Sequence, residues 1–99
     1  MQATNTQSPH KNGDKRGVVL VVDDERGPRE SLRMLLSSSY EVLTAEGGNG
    51  ALEILRERPV DLVTVDLNMP GIKGDQLVGI IRQEFAETEI IIITGCATV

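Results

Sequence analysis

Three short apolar runs each end at a side chain able to do chemistry. Val18–Val22 is followed by Asp23 and Asp24, Leu62–Val65 by Asp66, and Ile90–Ile93 by Thr94. Short runs of largely β-branched residues read as buried strands of a parallel sheet. In open α/β sheets the ligand crevice lies outside the carboxyl ends of the strands. One sheet edge would then gather three carboxylates and a hydroxyl from widely separated positions. Carboxylates crowded in this way repel, and an all-oxygen donor set suits a hard divalent cation such as Mg2+. The chemistry implied is phosphoryl transfer.

The segments between these runs carry helical signals. After Val18–Val22, Pro28 can occupy a first helical turn, where its missing N–H costs nothing. Leu32, Leu35 and Leu36 supply an apolar stripe that Ser37-Ser38-Ser39 ends. Tyr40–Ala45 reads as a second strand and Gly47-Gly48-Asn49-Gly50 as a loop, with Gly48 or Asn49 opening the next helix. Ala51, Ile54 and Leu55 form a narrow apolar face that Pro59 stops. Val60–Val65 is the third strand, and Pro70-Gly71 a turn. Leu77, Ile80, Ile81 and Phe85 mark a third helix, and Ile90–Ile93 the fourth strand. The order β-α-β-α-β-α-β predicts an α/β fold, a doubly wound parallel sheet with right-handed crossovers.

Composition narrows the function. The 99 residues are 39% hydrophobic, enough for one core, but include only one Tyr and one Phe. Aliphatic packing must carry stability, and the dearth of aromatics argues against single-stranded nucleic-acid stacking. Net charge is −5. Lys11, Lys15 and Arg16 face only Asp14 in residues 1–17, whereas the rest holds 7 basic and 14 acidic side chains. An acidic body is the wrong footprint for DNA, so no direct nucleic-acid binding is expected. Residues 1–17 are polar and read as a disordered tail, leaving 18–99 as the domain. Cys96 is the single cysteine, so no intrachain disulfide forms. No apolar stretch approaches the roughly 20 residues needed to span a bilayer, and a cytoplasmic setting is expected.

Bland readings compete at each position. Aspartate at a strand end is often a turn former, and Thr94 could satisfy a buried backbone group. Glu25 and Lys73 read as solvated charges, His10 as part of the tail, and Cys96 as a packing residue. A dinucleotide-binding enzyme is poorly supported. The turn after the first strand is Asp-Asp-Glu-Arg-Gly rather than a glycine-rich cradle, and Gly47–Gly50 lacks the required spacing. A haloacid-dehalogenase-type phosphatase would carry its nucleophile on the first strand, which Asp66-Leu67-Asn68 does not.

The three blocks VLVVDDE, VDLVTVDLNMPGIKGDQL and IIIITG, taken jointly over residues 17–95, resemble the receiver domain of two-component response regulators, a flavodoxin-like fold. The resemblance implies that Asp66 accepts a phosphoryl group from a histidine kinase or phosphotransfer protein. It implies that Asp23 and Asp24 bind Mg2+ directly or through water, with Asp66 and the backbone carbonyl of Asn68 as further ligands. It implies that the Thr94 hydroxyl hydrogen-bonds the phosphoryl group and couples it to a conformational change. Such a protein assists its own phosphorylation but is a signalling phosphoacceptor rather than an enzyme. Arg26, Arg29, Glu30 and Arg33 are the charges the first helix would offer a kinase.

The sequence departs from the family pattern at its C-terminal side. A receiver continues past the position of Thr94 into a helix, a fifth strand with a lysine and an aromatic switch residue, and a last helix. The chain is therefore expected to be a domain truncated after the fourth strand. Its Ile90–Ile93 edge would be unprotected and would pair with a second copy to give a homodimer. The alternative function is a receiver-like binding or dimerisation module that has lost productive switching.

Overall fold

A computed structural model describes residues 16–69 and 71–93 of the chain. The elements are β1 (Val18–Val22), α1 (Arg26–Leu36), β2 (Glu41–Ala45), α2 (Gly48–Glu57), β3 (Leu62–Asp66), α3 (Gly74–Glu84) and β4 (Glu89–Ile93). The strands form one parallel sheet in the order β2-β1-β3-β4. This is the α/β, doubly wound arrangement that the alternation of apolar runs predicts.

β1 is flanked by β2 and β3 and covered on both faces, which is why its sequence is apolar without alternation. All five of its residues are 1% exposed or less. Val18, Leu20 and Val22 point to one face with Val63 and Val65, and meet Ala51, Leu52 and Leu55 of α2 and Leu77, Val78 and Ile81 of α3. Each side chain buried as completely as Leu20 or Ile81 contributes roughly 1.5–3 kcal/mol relative to exposure. On the opposite face α1 packs across β1 and β2. No residue of α1 is fully buried, and Met34 and Leu35 stand mostly exposed.

Several boundaries differ from the sequence reading. β3 begins at Leu62 and runs through Asp66 rather than spanning Val60–Val65. The ladder with β1 starts at Val19↔Leu62. Upstream, the Asp61 carboxylate accepts the Val18 N–H at 2.7 Å and its carbonyl accepts the Glu89 N–H at 2.9 Å. That residue is a clip at the entry of three strands rather than a member of one. At the far end Asp66 pairs with Ile93 and so belongs to the strand.

Of the two expected helix starts the structure takes Gly48, so Gly48-Asn49-Gly50 is helical, and Gly47 is the N-cap of α2. A Cβ on Gly48 would lie 2.7 Å from the Cβ of Ile72, so the first turn of α2 is pressed onto the β3–α3 connection. That close approach requires glycine at this position despite its poor helix propensity. β2 starts at Glu41, because the Tyr40 N–H closes the turn after α1 on the Leu36 carbonyl. β4 includes Glu89 as well as Ile90–Ile93. Of the expected tail, residues 1–15 lie outside the described residues, as do Pro70 and Thr94, Gly95 and Cys96.

Candidate functional site

The carboxyl ends of β1 and β3 lie side by side, with Val22 in register with Val65. Asp23 and Asp24 leave β1 on the same edge at which Asp66 ends β3. One ligand oxygen from each of Asp23, Asp24 and Asp66 lies within 4.8 Å of the others. Asp23 and Asp66 are half-buried and Asp24 is exposed. Repulsion between two such charges is on the order of 1–4 kcal/mol, depending on local polarity, and a bound cation would relieve it.

The backbone holds each carboxylate in place. The Asp23 N–H still donates to the Ala45 carbonyl at 3.1 Å, one residue past the end of β1. Its Oδ1 accepts the Glu25 N–H at 2.9 Å, and Asp66 Oδ1 accepts the Asn68 N–H at 3.0 Å. Both aspartates are thus turn formers. One hydrogen bond leaves a carboxylate most of its roughly four lone-pair sites, so each retains capacity for a further partner. The Asp23 carboxyl is raised above its ordinary value, first by burial and then by the charges of Asp66 and Asp24. The Glu25 N–H and the Arg29 guanidinium pull in the other direction.

The β3–α3 connection that carries Asn68 is anchored at both ends. Met69 is buried in the core, and Ile72 packs against it beside Gly48. Asn68 itself is exposed and lies two residues beyond Asp66. Thr94 lies outside the described residues. The register Asp66↔Ile93 carries β4 to the level of the phosphoacceptor candidate.

Two residues escaped the sequence reading. Gly74 opens α3 where a Cβ would collide with the Asp66 carbonyl oxygen. Arg29, counted from the sequence among the charges of the first helix, is largely buried. Its side chain is 11% exposed, and it donates to the Asp23 carbonyl at 3.0 Å. The available signal was helical spacing, since Arg29 shares the inner stripe of α1 with Leu32 and Leu36.

Comparison with known proteins places this geometry in a family. A family model of the response regulator receiver domain matches residues 19–99. The hydrogenase transcriptional regulatory protein HoxA of Cupriavidus necator is 35% identical over 82 residues, covering 83% of this chain and 17% of that regulator. The chain thus spans about a sixth of the length of that relative. A response regulator receiver protein from Pseudomonas putida superposes with a TM-score of 0.77 at 34% identity, covering 84% of this chain and 71% of that one. The response regulator TrrA of Thermotoga maritima, solved in complex with Mg2+ and a beryllium fluoride, gives 0.76 at 40% identity, covering 82% and 71%.

The chain belongs to the receiver domain family of two-component response regulators, the phosphoacceptor modules of phosphorelay signalling. Receiver domains bind Mg2+ at an acidic pocket and interact with histidine kinases or phosphotransfer proteins. Among the described residues no helix is long and apolar enough to cross a membrane.

Proposed function

We propose that Asp66 is the phosphoacceptor of this chain and that Asp23 and Asp24 hold Mg2+ beside it. The observation that supports the reading is the convergence of the three carboxylates within 4.8 Å. Across an octahedral Mg2+ with bonds of ~2.1 Å, opposite ligands stand about 4.2 Å apart. The donor spacing is therefore close to what the ion requires, and the all-oxygen set fits its hardness. When bound, the ion neutralises charge that develops on the phosphoryl oxygens. The Asn68 carbonyl is assigned as a further ligand, and the Thr94 hydroxyl as the partner of the phosphoryl group.

In the reaction an Asp66 carboxylate oxygen attacks phosphorus in line with the leaving nitrogen of a phosphohistidine. The O–P bond forms as the N–P bond breaks, and the electron pair stays on the imidazole, which takes up a proton. Phosphoryl transfer passes through a loose transition state, so positioning and charge neutralisation supply most of the catalysis. The Asn68 N–H bond to Oδ1 fixes the rotamer of Asp66, and the half-buried setting limits the water around it. The same module would then change conformation to control a downstream output.

The test is intact mass after brief exposure to acetyl phosphate and Mg2+, where acetate is the leaving group. A phosphoryl-sized gain is expected in the parent, and none in Asp66→Asn or without Mg2+. No gain in a folded parent would sink the reading. It would favour instead a receiver-like module that binds through β4, the terminal strand among the described residues, where Ile91, Ile92 and Ile93 are 50%, 45% and 39% exposed.

A further inference from the structure

We infer that Arg29 is a positioning residue for the acidic site, acting through the backbone carbonyl of Asp23. This inference rests on the reading of Asp23, Asp24 and Asp66 as the Mg2+ site. Arg29 lies on the inner stripe of α1, two residues after Gly27 and four after the N-cap Glu25. Its guanidinium reaches back over the first turn, with Nη1 3.0 Å from the Asp23 carbonyl oxygen. Nη2 approaches the Glu46 carboxylate at 3.7 Å, on the connection that leads from β2 into α2. One planar fork thereby spans the two loops that border the site, a geometry a single ammonium cannot reproduce.

The two contacts differ in weight. The Glu46 side chain is 81% exposed and the separation is long, so that ion pair contributes little. The bond to Asp23 is made by a guanidinium with 11% of its side chain accessible, to a carbonyl at the point where β1 ends. It is charge-assisted and partly sheltered, the stronger kind. Asp23 is then held from three sides, through its N–H on Ala45, its carbonyl on Arg29 and its Oδ1 on the Glu25 N–H. The direction in which Asp23 and Asp24 present their carboxylates to Asp66 depends on that carbonyl.

Charge and geometry make opposite demands. A fixed cation beside three carboxylates opposes a second cation, so by charge alone removing Arg29 would tighten Mg2+ binding. As a positioning residue its removal weakens binding, because the two loop carboxylates lose their common orientation. The sign of the effect separates the roles.

The experiment is Mg2+ titration by isothermal calorimetry on the 99-residue chain, its Arg29→Met and Glu46→Gln variants, and Arg29→Lys, with circular dichroism confirming the fold. Arg29→Met is expected to raise Kd about three- to tenfold, while Glu46→Gln stays within about twofold of the parent. Arg29→Lys keeps the charge and much of the stem, so it serves if the methionine variant does not fold, and it is expected to raise Kd at least threefold. Unchanged or tighter binding in Arg29→Met, or parent-like binding in Arg29→Lys, overturns the inference. So does a loss in Glu46→Gln as large as that in Arg29→Met. A folded parent that does not bind Mg2+ overturns the site assignment itself and this inference with it, whereas variant results in a binding parent bear on Arg29 alone.

Discussion

The Cβ that Gly74 lacks would collide with the carbonyl oxygen of Asp66 and lie 2.5 Å from the Cα of Leu67. The first residue of α3 is therefore seated on the backbone that presents the phosphoacceptor candidate. The obstruction is backbone on both sides, so no side chain can swing away to make room. Gly74→Ala should destabilise the domain by about 2–4 kcal/mol, within the range of strained or overpacked buried sites. Gly79, exposed on the same helix with nothing within 4 Å of its ideal Cβ, provides the control. Gly79→Ala should gain up to about 1 kcal/mol through helix propensity. Urea unfolding of the two variants reads the difference, and equal midpoints would refute the close-approach argument.

The raised carboxyl of Asp23 sets the sign of a pH effect. Between its ordinary value and its raised value in the folded chain, the folded state binds more protons than the unfolded one. Stability then falls as pH rises through that window. Above the window the full penalty of a half-buried charge beside Asp24 and Asp66 remains. Asp23→Asn removes the charge while its side-chain oxygen can still accept the Glu25 N–H. A higher Tm at pH 7, by roughly 2–5 °C for a domain of this size, is expected without Mg2+. The advantage should shrink below the ordinary carboxylate range. Adding Mg2+ should raise the Tm of the parent more than that of the variant, by ligand linkage. A variant that melts below the parent at pH 7 without Mg2+ would contradict the electrostatic account.

What the sequence disclosed, and what it hid, divides along the range of the interactions. The apolar runs ending at Asp23-Asp24 and Asp66 are local signals, and parallel topology alone brings their ends to one edge. The turn-former reading of those aspartates holds, since Asp23 and Asp66 each accept a downstream N–H on one oxygen, and that bond leaves lone pairs for the proposed ion. The glycine cluster reads as a loop with Gly48 or Asn49 opening the helix, and the helix does open at Gly48. What the sequence does not show is the close approach of Ile72, 24 positions on, which leaves no room for a Cβ at Gly48. Leu35 followed the helical period yet is 73% exposed. It stands at the rim of α1, beside the open half of the sheet face towards Ile93. Arg29 looked like surface charge because its acceptor is a backbone carbonyl, which has no sequence signature.

The same contrast within the apolar positions can be measured. Leu77 is completely buried between α3 and the sheet, whereas Leu35 is not. Leu77→Ala should cost about 2–5 kcal/mol, the transfer of the lost methyl groups plus a cavity that rigid neighbours cannot fill. Leu35→Ala, although it changes the same atoms, should alter stability by less than about 0.5 kcal/mol. Chemical denaturation decides it. A large loss at Leu35 would mean that something covers α1 in solution.

β4 carries the last prediction. It is the terminal strand of the sheet among the described residues, and its outer backbone edge is flanked by half-exposed Ile91, Ile92 and Ile93. Natural edge strands are usually blunted by charge, proline or a bulge, and here Glu89 is the one charged residue of the strand. Antiparallel pairing with the same strand of a second copy would satisfy the open N–H and C=O groups and cover the isoleucines. The 99-residue chain should therefore show concentration-dependent association in analytical ultracentrifugation. Ile91 pairs with Thr64 at the middle of the strand, so Ile91→Lys places a like charge at the centre of any twofold contact. It should weaken association by at least tenfold while leaving Mg2+ binding at the carboxyl end of β3 intact. A parent that sediments as a monomer at every concentration would remove the homodimer. An Ile91→Lys variant that associates as strongly as the parent would move the contact off β4, and the exposed Met34 and Leu35 of α1 would be the next surface to test.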